Sequence, residues 1–300
     1  MHPAIQGLLT IVIGVGACVG YFYFANQLLD KVLLPAKGPN AGRNINRANQ
    51  IRPWLFLFPA MFALGLYLAY PVVETLRLSL TDREQGGAFV GLANYQQMFT
   101  EDKFWEAMRN NMLWLIVVPA MSTAFGLLVA QLTDRIAWGN IAKSLIFMPM
   151  AISFVGAGVI WKLVYETRPE DVAQIGVMNA ILTGLGGEPQ TWLTIPFWNN
   201  FFLMIVLVWI QTGFAMVILS AALRGIPEET IEAAIVDGAN PFQIFFKIKV
   251  PQIMPTIVVV WTTITLTVLK VFDIVFAMTN GQWETQVLAN YMYDKLFRAG

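Results

Sequence analysis

The chain has 300 residues, of which 57% are hydrophobic and only 13% charged, with 19 basic residues balancing 19 acidic ones. A soluble globular domain carries about 25% charged residues, so this composition belongs to a membrane protein. A net charge of zero also argues against a nucleic-acid partner, which calls for a basic face.

A spanning helix needs roughly 20 mostly apolar residues, because the hydrocarbon layer is about 30 Å thick and a helix rises about 1.5 Å per residue. Six stretches reach that length, at about Ile5 to Ala25, Trp54 to Val73, Met112 to Leu132, Ser144 to Val164, Phe201 to Leu223 and Gln252 to Met278. None alternates as a barrel strand does, so the expected fold is an all-α polytopic helical bundle.

The first stretch has no charged residue before Ile5 and no small-x-small cleavage site ahead of Asn26, so it reads as a retained span rather than a signal peptide. Lys31, Lys37, Arg43, Arg47 and Arg52 follow it, whereas no Lys or Arg precedes it. By the positive-inside rule the N-terminus is expected outside. Arg135, Lys143, Arg224, Lys247 and Lys249 then share the cytoplasmic side with that first group, while Arg77, Arg83, Lys103, Arg109, Arg168, Lys295 and Arg298 are spread over longer outer segments. Cys18 and His2, one of each type, build neither a disulfide framework nor a metal site.

Pro35 to Gln50, rich in Gly, Asn and basic residues, reads as a cytoplasmic linker, so that residues 1–51 form an extra N-terminal helix with its linker and 52–300 the main membrane domain. The outer segment Arg77 to Asn111 carries Phe89, Tyr95, Phe99, Phe104 and Trp105, which suit either a docking surface or the membrane interface. A second outer segment, Tyr165 to Asn199, is expected to hold a short helix near Ile175 to Leu182. After the sixth stretch no run is long enough to cross, and the chain reads as a fragment lacking a final span.

Between the fifth and sixth stretches, residues 223–251 carry their own structural instructions. Pro227 suits the first turn of a helix, and Glu228 and Glu229 favour the positive end of its dipole. Ala233 and Ala234 keep one face thin, and Gly238 suits a sharp reversal. Asn240 caps a second helix, with Pro241 at its first position and Gln243 three residues after the cap. Phe242, Phe245, Phe246 and Ile248 then form an apolar side before Pro251 starts the sixth span. Two short helices at a small-residue elbow make a compact cytoplasmic knob.

Inside the spans, Lys270 and Asp273 stand three apart on one face of the expected sixth helix, where they are expected to pair; direct contact with a sugar is the alternative. Lys162, near the end of the fourth stretch, is able to snorkel. Trp209, Gln211, Thr212 and Phe214, with Trp261, Thr262, Thr263, Thr265 and Thr267, suit a polar lumen, although each Thr could instead bond back to its own helix.

Glu232-Ala233-Ala234, then Gly238, Ile248 and Val250-Pro251 at fixed spacing, resemble the EAA signature of binding-protein-dependent ABC import permeases. Val250 replaces the usual Leu. Pro53-Trp54-Leu55-Phe56, Phe89-Val90-Gly91-Leu92 with Asn94-Tyr95, and Val271-Phe272-Asp273 through Thr279-Asn280-Gly281 resemble the maltose-type carbohydrate branch, and within it alpha-glucoside permeases. The resemblance spans Arg52 to Gly300. It implies a type I importer fold, a bacterial inner-membrane location, and no enzymatic activity or cofactor of the chain's own. It further implies a coupling role for Glu232, Ala233, Ala234, Gly238, Asn240 and Pro241, and a substrate path near Gln211, Phe214, Thr267 and Val271. The implied partners are two ABC ATPase subunits, a second permease, an extracytoplasmic solute-binding protein, membrane lipid and the sugar.

No phosphate-cradling G-x-x-x-x-G-K-[ST] is present, so the energy must come from a partner. The rival expectations are a secondary sugar transporter, which calls for internal repeats and a titrating intramembrane carboxylate, and a membrane transferase, which calls for clustered acids or His. Gly238→Asp is expected to leave membrane insertion intact while uncoupling ATP hydrolysis from transport. Normal sugar uptake by that variant would count against a docking role for the knob.

Overall fold

The computed structural model describes residues 3–82, 86–134 and 136–298; His2, Arg83 and Arg135 lie outside them. The described residues are mostly helical, with one short hairpin pairing Thr81–Asp82 antiparallel to Ala88–Phe89. The chain divides into two compact units, 1–97 and 98–300.

The first unit is built on α1 (Pro3–Leu33) and α2 (Ala41–Ser79), both long and apolar enough to cross a membrane. None of the apolar window of either is buried, so these surfaces need lipid or neighbouring protein around them. Within the unit, Tyr21 donates to the Leu55 carbonyl at 2.9 Å, Phe22 stacks on Phe56, and Arg52 pairs with Asp30 at 2.6 Å. The expected linker at 35–50 is shorter than its composition suggests, because α2 begins at Ala41. Past Gly42 no Gly or Pro interrupts the chain before Pro53, so the helix propagates through a polar run.

The second unit follows α3 (Ala93–Thr100) with α4 (Asp102–Thr133), a pair α5 (Gly139–Ala151) and α6 (Phe154–Val164), then α7 (Val177–Gly184) and α8 (Trp198–Arg224). α8 is the centre of the unit, with 61% of its apolar window buried against 33% for α4. Leu203, Leu207, Ile210 and Leu219 of α8 pack with Trp114 and Val118 of α4 in one core. Small residues set the spacing. A Cβ placed on Gly126 of α4 would stand 2.9 Å from the Met216 nitrogen of α8, and one on Gly213 of α8 would stand 2.7 Å from the Ile146 carbonyl oxygen of α5.

Beyond α8 come α9 (Glu228–Val236), α10 (Pro241–Gln252), α11 (Met254–Leu269), α12 (Asp273–Met278) and α13 (Leu288–Phe297). Val260, Ile264 and Val268 of α11 complete the core.

Two expected spans are corrected. The fourth is not one helix: α5 and α6 meet at 105°. Met148–Ala151, which contains Pro149, tightens into a 3-10 turn, Ile152 and Ser153 are extended, and Ser153 restarts the helix by accepting from the Gly156 N–H at 3.1 Å. The sixth is interrupted at both ends. Pro251 lies in the last turn of α10 rather than opening the span; a 70° bend at Ile253 precedes α11, which stops at Leu269. The short helix expected near Ile175 to Leu182 is α7.

Gly126→Leu is expected to destabilise the α4–α8 contact by about 1–3 kcal/mol through overpacking. It should lower the thermal midpoint of the detergent-purified chain, whereas Gly14→Leu, with nothing within 4 Å of its Cβ position, should not.

Candidate functional site

The segment from α8 to α11 folds by local rules. Gly225 ends α8, Ile226 is buried, and Pro227 stands at the N-cap of α9, one position earlier than its usual place in the first helical turn. Glu228 and Glu229 occupy that first turn, where the helix dipole favours them. α9 closes with paired bonds, Ala239 N–H to Ala234 O at 2.9 Å and Gly238 N–H to Ile235 O at 3.0 Å. These are the two bonds of a Schellman cap, and Gly238 supplies the left-handed conformation with φ +81°. The space around Gly238 is open, so a side chain there meets backbone strain and no crowding.

Asn240 then caps α10 reciprocally. Its side chain accepts from the Gln243 N–H, and the Gln243 side chain accepts from the Asn240 N–H, both at 2.9 Å, with Pro241 at the first helical position.

The elbow separates buried from displayed groups. Ala234 and Ile244 are buried between the two helices and the body of the unit. Glu232, Ala233, Gly238, Asn240 and Pro241 are exposed, and among the described residues Glu232 has neither a hydrogen bond nor an ion pair. Around them stand exposed Ile235, Val236 (86%), Phe242 (77%) and Phe246. Such a contiguous apolar tip around a free carboxylate suits a protein partner. Of the two alanines, only Ala233 faces outward; Ala234 sets the packing beneath.

The roots of the elbow are tied to neighbouring helices. Asp134, the C-cap of α4, accepts on one oxygen from Lys143 of α5, from Ser220 of α8 at 3.1 Å, and from Arg224 of α8 at 3.0 and 3.2 Å. Lys143 also donates to Ser220 at 2.6 Å, and Lys249 of α10 donates to Gln131 of α4 at 3.2 Å. Burial pushes the Asp134 carboxyl up, but the hydrogen bonds from Lys143, Arg224 and Ser220 together outweigh it and hold the group below the usual carboxylate range. Isolated Lys and Asp residues scattered over ninety positions carry no spacing signal, so this cluster is invisible to motif reading.

At the break after α11, Thr267, Lys270, Val271 and Asp273 line a cavity of about 120 Å³ together with Phe154 and Leu207. Two of the four candidate lining residues, Thr267 and Val271, therefore share it. Gln211, buried, and Phe214, half-buried, do not line it; they continue along α8 the face that Leu207 presents to it. The ion pair expected between Lys270 and Asp273 is corrected. α11 ends at Leu269, Phe272 is non-helical and Asp273 opens a new helix, so the helical three-residue spacing does not apply. The two side chains face one cavity without bonding to each other. Thr262, Thr263, Thr265 and Thr267 each bond back to the carbonyl four residues earlier, at 2.8 to 3.2 Å.

A larger apolar groove of about 710 Å³ lies on the opposite face of α8, between Phe125, Pro149, Trp161, Ile205, Trp209 and Thr212.

At the other end of α4 and α8, two asparagine pairs grip the loop between α12 and α13. Asn110 donates to the carbonyls of Glu284 and Gln286 at 2.9 and 2.8 Å, and Asn111 accepts from the Leu288 N–H at 2.8 Å. Asn199 and Asn200 donate to Trp283 and Glu284 at 2.5 and 3.2 Å. Trp283 and Glu284, whose carbonyls accept these bonds, are held at φ of 55° and 61°, strained positions that the bonds over-determine. The twin asparagines at the starts of two apolar runs are the one sequence signal that points to them.

The family model for the binding-protein-dependent transport system inner membrane component matches residues 122–295. The alpha-glucoside transport system permease protein AglF of Rhizobium meliloti is 64% identical over 100% of this chain and 90% of its own length. The osmoprotective compounds uptake permease protein GgtC of Synechocystis is 50% identical over 81% of this chain and 87% of its own. A bacterial alginate ABC transporter, solved in complex with an alginate pentasaccharide-bound periplasmic protein, shares the fold with a TM-score of 0.72 at 21% identity, covering 87% of each chain.

Asn240→Ala is expected to cost about 1 kcal/mol of α10 stability, the usual worth of an N-cap. Hydrogen exchange at the Gln243 amide should accelerate while the amides of α8 stay protected.

Proposed function

Since the chain belongs to the binding-protein-dependent transport system inner membrane component family, we propose that it is the permease subunit of an ATP-driven importer that carries an alpha-glucoside or another small oligosaccharide into the cell. The full-length similarity to an alpha-glucoside permease carries this reading. A transporter driven by an ion gradient has no support from these relatives and is set aside.

In this reading the exposed tip of α9 and α10 is the part that meets the ATPase. Glu232 offers the charged anchor, while Ala233, Gly238 and Pro241 allow close approach, and Ala234 with Asn240 keeps the elbow rigid. The distribution of Lys and Arg supports a cytoplasmic tip and an external N-terminus. Two ATPase subunits, a second permease and an external solute-binding protein complete the machine. Closure of the ATPases displaces the elbow, and the helices reorient a central path from outside to inside; ATP can drive this only by binding one arrangement better than the other.

The sugar would pass the face of α8 that bears Gln211 and Phe214 and the α11 break at Thr267 and Val271. Lys270 and Asp273, unbonded beside that break, offer hydrogen-bonding partners to hydroxyl groups at a depth where ionisable groups serve function.

Reconstituted with its partners in proteoliposomes, the complex should hydrolyse ATP in a vanadate-sensitive manner, stimulated by the alpha-glucoside-loaded binding protein, and accumulate the sugar. Uptake driven by an ion gradient with no ATPase present would overturn the proposal. The second cargo reading, an osmoprotective compound, is favoured by the 50% identical relative, and titration of the purified binding protein with both ligands separates the two.

A further inference from the structure

The cluster on Asp134 lies at the root of the elbow, and its geometry goes beyond docking. Gln131 and Asp134 stand three residues apart on the last turn of α4, and so share a side of that helix. Asp134 takes hold of Ser220 and Arg224 at the end of α8, the strand of chain that enters the elbow. Gln131 takes hold of Lys249 near the end of α10, the strand that leaves it. One turn of one helix thus fastens both roots.

The chain between those roots and the tip has weak points. On the exit side α10 is under-wound into a π turn from Ile244 to Lys249, which ends at the root, and the path breaks again just beyond the root at Ile253. A push delivered at the tip would be lost in bending unless the roots were held. The Asp134 and Lys143 side chains are 19% and 14% exposed, so the bond between them is screened less than that of a surface pair, whereas Arg224 reaches Asp134 from a position 61% exposed. Removing the carboxylate would leave Lys143 and Arg224 facing each other with no acid between them.

We propose that Asp134 and Gln131 are positioning residues that lock both roots of the elbow to α4, so that displacement of the elbow moves α4 and α8 as one body. This rests on the elbow being the contact with the ATPase.

The experiment uses the reconstituted complex with its binding protein. For Asp134→Asn, ATP hydrolysis should persist while sugar moved per ATP falls roughly tenfold, the upper range of what a coupling-network substitution produces. Asp134→Glu should restore most of the ratio, and Gln131→Leu should lower it to a smaller degree. In a Cys18→Ser background, spin labels at Leu132 and Glu229 should give one narrow distance with and without ATP and vanadate, and a broad one in Asp134→Asn. If Asp134→Asn fails to assemble, Ser220→Ala and Gln131→Leu carry the test by the same two readouts. An unchanged ratio with an unchanged distance overturns the clamp. Gly238→Asp keeps the two readings apart: if it transports normally, the docking reading falls, whereas if it uncouples and the Asp134 variants do not, only the clamp falls.

Discussion

Inside a hydrocarbon layer the backbone has no water to bond, so each peptide N–H and C=O must be satisfied within the protein. The architecture of this chain follows from that constraint. Long stretches meet it by being helical, and irregular backbone occurs where something local answers for the exposed groups. At the turn between α5 and α6, the Ile152 N–H reaches Pro149 and the Ser153 side chain caps the next helix. At the bend before α11, Ile253 donates to Lys249 and accepts from Ile257, so both groups of the residue at the turn are bonded. At the break after α11, Val271 donates to Val268 and Phe276 to Phe272. The breaks are also where groups other than hydrocarbon reach a cavity: Lys270 and Asp273 can share one because the helix stops there.

The elbow of α9 and α10 satisfies the same demand by other means. Its Schellman cap and capping box use only residues of the elbow itself, so these two turns are set locally. That independence explains why an exposed apolar tip can be presented without collapsing onto the body of the protein. Rigidity of the tip is useful only if the attachment is also rigid, and the attachment comes from long-range bonds: Asp134 to Arg224 crosses ninety residues and Gln131 to Lys249 still more. The asparagines at the opposite end of α4 and α8 do the same for the loop after α12. α4 and α8 are therefore tied to the elbow at one end, to the loop after α12 at the other, and to each other by the close approach at Gly126.

Much of this was legible in the amino-acid order. Composition set the class, runs of apolar residues marked where the membrane helices lie but not where they begin, bend or end, and Pro227, Gly238, Asn240, Pro241 and Gln243 specified the elbow down to its caps, because capping is a local interaction between residues within five positions of each other. The EAA pattern pointed to the family. Hydropathy failed where it had no sensitivity to direction: Ser144 to Val164 is mostly apolar, and a running average cannot register that Pro149 and Ser153 turn the chain by 105°. For the same reason Lys270 and Asp273 looked like helical neighbours.

What only the tertiary structure decided are the contacts whose partners lie far apart in sequence. These are the Asp134 cluster, the asparagine grip on residues 283–288, the sharing of one cavity by Thr267, Val271, Lys270 and Asp273, and the inward turn of Ala234 while Ala233 faces out. The elbow's form was written in neighbouring residues, each able to bond only to those beside it. Its attachment to α4 depends on where three helices end in space, and no periodicity or spacing along the chain encodes that meeting point.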